Sequence, residues 1–161
     1  MTVVPVDSSR TILEKEVTDA QPWAGRHSWE LLLSPGALLL DVHLVHPVDQ
    51  QPLLLRGEFS SYRAQPPLWV FLEPGTLTST LDAWPSGGPV GNLSSIFIRH
   101  GGGAVICAHF NRGAYTSEGG PHAWGALSQW TQVRDGIHAE RVGEMLAAIA
   151  VHLRHSPGRM A

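Results

Sequence analysis

Apolar and polar residues alternate along residues 37–45, with Leu40, Val42 and Leu44 pointing one way and Asp41 and His43 the other. A period of two predicts a half-buried strand. Residues 53–59 predict the return strand, across a turn at 46–52, and 68–72 predict another after an interruption at 62–67. Residues 29–33 predict an opening strand that ends at the turn signal Ser34, Pro35, Gly36. Short connections between such strands imply an antiparallel, four-stranded meander.

The period changes near the C-terminus. Val142, Met145, Leu146, Ile149 and Leu153 recur at helical spacing, which predicts an amphipathic helix over 138–153, stopped by Ser156, Pro157 and Gly158. Its apolar stripe reads as packing against the sheet. A shorter helix is expected from an N-cap at Asp7, Ser8 or Ser9 to about Val17, with Glu14, Lys15 and Glu16 on a solvated face and a break at 21–25. Residues 73–94 are rich in proline and glycine and carry no period, with Trp84 expected to pin them. Residues 95–99 read as extended, and 111–136 as loops with one helical turn. The fold class is therefore α+β: a meander with an N-terminal and a C-terminal helix packed on one face. A single domain over 1–161 is expected, with 1–6 and 157–161 as loose tails.

Composition narrows the function. Hydrophobic residues are 43% of the 161, enough for a core, and charged residues only 16%. The formal charge of −3 gives no basic footprint, so nucleic acid is not an expected partner. No apolar run approaches the ~20 residues of a membrane span. The N-terminus has no basic start and no signal-peptide core, and one cysteine cannot form an internal disulfide, so a reducing cytoplasm is the expected location.

That one cysteine, Cys107, closes the apolar run Ala104, Val105, Ile106, which follows the triplet Gly101 to Gly103. Two readings stand side by side. A free cysteine at a strand end is often a buried small hydrophobe. As a nucleophile it needs an open, electropositive site. His109, two residues on, leaves the same face if the strand continues, as a base or orienting group or as an incidental histidine. The triplet reads as a hairpin turn first and as a nest of oxyanion-binding amides second. His122 with Trp124 reads as aromatic packing first and as lining of the thiol's site second. No paired Cys-x-x-Cys or His-x-x-x-His spacing supports a metal, and no cofactor is expected.

The order of these features resembles the ubiquitin-conjugating enzyme family. That family has a Tyr-Pro-x-x-Pro-Pro-x-Val-x-Phe segment, matched here by Tyr62, Pro66, Pro67, Val70 and Phe71, with Arg63 in place of the first proline. Its Gly-x-Ile-Cys ending is matched by Gly103 to Cys107 with one extra residue, and a tryptophan and long helix follow, as Trp130 and 138–153 do. The resemblance covers most of 37–153 and implies a divergent bacterial member. It implies Cys107 as carrier of a ubiquitin-like protein in thioester linkage, received from an activating enzyme and passed to an amine of a protein substrate. His100 stands for the family's histidine, while Gly101 and Gly102 replace its Pro-Asn. His109 and Asn111 are the candidates to supply what the missing asparagine does. Two other functions fit the same residues: a non-catalytic binding module of this fold, and a thiol hydrolase using Cys107 with His109 or His122 and Asp135.

Overall fold

The computed structural model describes residues 5–160. Helix α1 spans Val6–Arg26, followed by strands β1 (Glu30–Ser34), β2 (Leu39–Val45), β3 (Pro52–Glu58) and β4 (Leu68–Leu72). These four form one antiparallel sheet in sequential order. A separate hairpin of β5 (Phe97–His100) and β6 (Gly103–Ile106) comes next, then short 3-10 turns, then helix α2 (Val142–Arg154).

The register explains the core. Leu31 faces Val42, Val42 faces Leu55 and Leu55 faces Phe71, so one face of the sheet is aliphatic and aromatic throughout. That face joins Leu13, Val17, Ala20 and Ala24 of α1 and Met145, Leu146 and Ile149 of α2 in one cluster. The opposite face carries the Asp41–Arg56 pair, with Arg56 Nε 2.7 Å from Asp41 Oδ1. Gly57 has no side chain because the Trp69 ring takes that space: a Cβ there would lie 2.7 Å from Trp69 Cζ3 and 2.7 Å from Phe59 Cε1.

α1 runs past the expected stop to Arg26. Pro22 is exposed within it, and a proline inside a helix removes one backbone bond at a cost of about 3 kcal/mol or more. Burial of Ala20 and Ala24, with Trp23 stacked on His27 and edge-on to Trp29, offsets that cost. α2 starts at Val142, the first residue of the apolar stripe, and not at 138 as expected. Glu144 Oε1 accepts the amides of Glu140 and Arg141, each at 3.0 Å. Glu16, buried on α1, accepts the Val142 amide at 3.0 Å and the Tyr62 hydroxyl at 2.6 Å. The first turn of α2 is thereby fixed by a carboxylate from the other helix, where the helix dipole favours negative charge.

The tails also differ from expectation. Val6 opens α1; residues 1–4 and 161 lie outside the described residues. Residues 157–160 form a strap. Gly158 O accepts the Ser86 amide at 2.7 Å, Met160 N donates to Trp84 O at 2.8 Å, and Arg99 Nη2 donates to Met160 O at 2.9 Å. Trp84 is 2% exposed and does pin residues 73–94, its Nε1 donating to Ser79 Oγ at 3.0 Å.

Candidate functional site

Strand β5 begins just after Ile96, and β6 returns beside it from a two-residue turn at Gly101 and Gly102, both at positive φ (58° and 80°). Two consecutive left-handed residues suit glycine, so the triplet is a hairpin turn. Cys107 follows Ile106 at the far end of β6, its amide donating to Ile96 O at 2.7 Å. Since His100 faces Gly103 across the hairpin, the turn and His100 stand roughly 13 Å from the thiol at ~3.3 Å per strand residue. His100 is exposed, with Nε2 2.8 Å from Gly119 O. Neither His100 nor the triplet's amides reach Cys107 in this arrangement, because a four-residue strand separates them.

Cys107 is half-buried on the wall of a cleft of about 260 Å³ that also takes in Ser94, Ser95, His122, Trp124 and Asp135. Burial pushes the thiol up to about 12, and no charge offsets it. At rest, almost none of it is thiolate at neutral pH.

His109 is buried and fully engaged. Its Nδ1 lies 3.0 Å from Asp135 Oδ1 and its Nε2 2.8 Å from Ala139 O. Asp135 Oδ2 also accepts the His109 amide at 2.7 Å, and Oδ1 the Ile137 amide at 3.1 Å. Burial opposes the charge on Asp135, but the hydrogen bonds from His109 and Ile137 and the neighbouring imidazole hold its carboxyl below the ordinary value. This pair staples the 135–139 segment to the strand end. The expectation of His109 as a base beside Cys107 meets a ring with no free nitrogen.

Asn111 is fully buried. Its Oδ1 accepts the Trp69 amide at 2.8 Å and its Nδ2 donates to Ile106 O at 2.8 Å. It ties β4 to β6 and supplies no donor to the cleft, contrary to its expected oxyanion role. Both residues are near Cys107 in sequence, but His109 is held by Asp135, 26 residues away, and Asn111 by Trp69, 42 residues away.

His122 is the titratable ring the cleft does contain. It lies flat on Trp124, centroids 4.3 Å apart and planes 2° apart, and Trp124 meets Tyr115 edge-on. Its backbone is clamped at both ends, N to Ala114 O and O from Thr116 N, each at 2.9 Å. Neither ring nitrogen has a hydrogen-bond partner among the described residues. His122 thus both packs on Trp124 and lines the cleft that holds Cys107.

Comparison with protein-family models, with curated proteins and with solved structures found no match. Among the described residues no group of three or more His, Cys, Asp or Glu side chains could hold a metal ion. No helix among them is long and apolar enough to cross a membrane.

Proposed function

We propose that the chain is a ubiquitin-conjugating-like domain that carries a ubiquitin-like protein as a thioester on Cys107 and passes it to an amine of a protein substrate. One observation carries this reading: the lone thiol lines a cleft together with a histidine whose ring nitrogens are uncommitted. The helix, meander and C-terminal helix are in the order that the resemblance implies.

A thiol held up by burial needs a proton acceptor at the moment of attack. His122 is the candidate. In the loading step the Cys107 proton passes to the His122 ring and sulfur attacks the carbonyl carbon of the activated thioester. The activating enzyme's thiolate departs and takes up the proton. In transfer, an amine attacks the Cys107 thioester, giving an amide and returning the thiol. The expected partners are a ubiquitin-like protein, its activating enzyme and a protein substrate, in the cytoplasm, where the thiol stays reduced.

Incubation with an activating enzyme, a ubiquitin-like protein and ATP from the same cell tests the reading. The expected product is an adduct lost on reduction and absent from Cys107→Ser. Wild-type chain that forms no adduct under conditions that charge the activating enzyme refutes it.

The non-catalytic binding module is the second reading, favoured by the raised thiol and by the commitment of His109 and Asn111 to structure. Under that reading Cys107→Ser binds the ubiquitin-like protein or its activating enzyme as wild type does.

A further inference from the structure

His46, wholly buried at the end of β2, lies where the strap meets the sheet. Its Nδ1 accepts the amides of Val48 at 3.0 Å and Asp49 at 3.3 Å. Nδ1 therefore carries no proton, and Nε2 is the donor, to Ser156 Oγ at 2.9 Å. Ser156 Oγ donates onward to Gly158 O at 3.0 Å. Asp49 completes the cluster: Oδ2 accepts Arg159 N at 3.2 Å and Nε at 3.3 Å, while Oδ1 stays 3.9 Å from His46 Nδ1. Serine, histidine and aspartate are thus neighbours, but the polarity is the reverse of a hydrolytic triad, since the ring donates to the serine and has no lone pair facing it.

We propose that this cluster is a proton-operated clasp on the C-terminal strap. A proton arriving at Nδ1 meets two amide N–H groups already aimed at that atom, so the 46–49 turn opens. Asp49 then pairs with the imidazolium and lets go of Arg159. Residues 157–160 come away from Trp84, Ser86 and Arg99. The charged groups facing the ring are Asp49 from its own turn and Arg159 from the strap. Burial holds His46 below its ordinary value, with Asp49 opposing and Arg159 adding to the effect. The clasp is closed at neutral pH and opens on acidification. It goes beyond the thiol's chemistry and stands whether or not Cys107 carries an acyl group.

Hydrogen exchange of the full chain between about pH 5 and 7.5, with labelling times scaled to intrinsic rates, tests it. The Ser86, Arg159 and Met160 amides are expected to lose about tenfold or more of their protection in acid while the α2 amide of Met145 keeps its own. His46→Asn keeps an acceptor near the Nδ1 position but cannot take a proton, so its strap protection is expected to be the same at both ends of the range. The wild-type profile decides alone if that variant does not fold. Strap amides that stay protected in acid, that are lost only together with Met145, or that are still lost on acidification in His46→Asn would each overturn the clasp.

Discussion

Alkylation of Cys107 by iodoacetamide turns the burial of the thiol into a rate. At pH 7.5 an unfolded-chain thiol with pKa ~8.5 is roughly 10% thiolate. A thiol at about 12 is roughly 3 × 10⁻⁵ thiolate, about 3,000-fold less. The more basic thiolate is the better nucleophile, and a Brønsted slope of ~0.4–0.5 over ~3.5 units returns roughly 25- to 55-fold. The native chain is then expected to react about 100-fold more slowly than the chain in urea at the same pH. The assay is mass spectrometry of quenched time points, with the urea rate corrected by a model thiol. Its pH profile should rise without a plateau to beyond pH 10. A native rate within about threefold of the unfolded one, or a plateau near pH 8.5, would refute the reasoning from burial. A native rate above the expected one that falls in His122→Phe would instead measure the help His122 gives.

Further outcomes follow from contacts elsewhere. Asn111→Ala leaves the Trp69 amide buried without its partner and the Ile106 carbonyl with the Ala108 amide alone, and urea unfolding should show a loss of about 1–3 kcal/mol; a loss well under about 1 kcal/mol would mean the β4–β6 tie is dispensable. Glu16→Ala orphans the Val142 amide and leaves the Tyr62 hydroxyl only the Glu140 carbonyl at 3.4 Å, with a similar expected cost by thermal unfolding, and Glu16→Gln, which keeps an acceptor, should cost less than half as much. Gly57→Ala drives a methyl into the Trp69 and Phe59 rings and should cost about 1–3 kcal/mol by calorimetry. His46 and His152 are both held low by burial, His152 with further help from His155. Below about pH 6.5 the unfolded chain binds protons that these rings refuse, so stability present above that pH is lost as pH falls. Urea midpoints at pH 7.5 and 5 check the sign, and a higher midpoint in acid contradicts it.

Local pattern carried the sheet because strands signal by alternation. Leu40, Val42 and Leu44 are buried and His43 is exposed, as the period of two requires. The stripe from Val142 to Leu153 likewise marked the buried side of α2. What was not legible depended on distant partners. No rule of propensity carries α1 through Pro22; packing of Ala24 and Trp23 does. The start of α2 at Val142 has a local half, the Glu144 carboxylate on the Glu140 and Arg141 amides, and a distant half, since Glu16, which takes the Val142 amide, is 126 residues away. The position of Cys107 at a strand end was readable, but the cleft around it is built from segments near 94, 122 and 135. His109 and Asn111 looked chemical because they are polar and close to the thiol in sequence. In the folded chain that polarity is spent on Asp135, Ala139, Trp69 and Ile106.

The clamp at Asn111 has a consequence for self-association. Along the outer margin of β4, the Trp69 amide goes to Asn111, Pro67 O accepts the Arg112 amide at 2.9 Å, and Phe71 O accepts Ser79 Oγ at 3.0 Å. Those main-chain groups cannot template a neighbouring chain. β1, at the other margin, has a strand on one side only. With main-chain groups on the β4 margin already engaged, only the β1 margin is open to pairing with another strand, and a sheet that can extend on one side has no route to an open-ended stack.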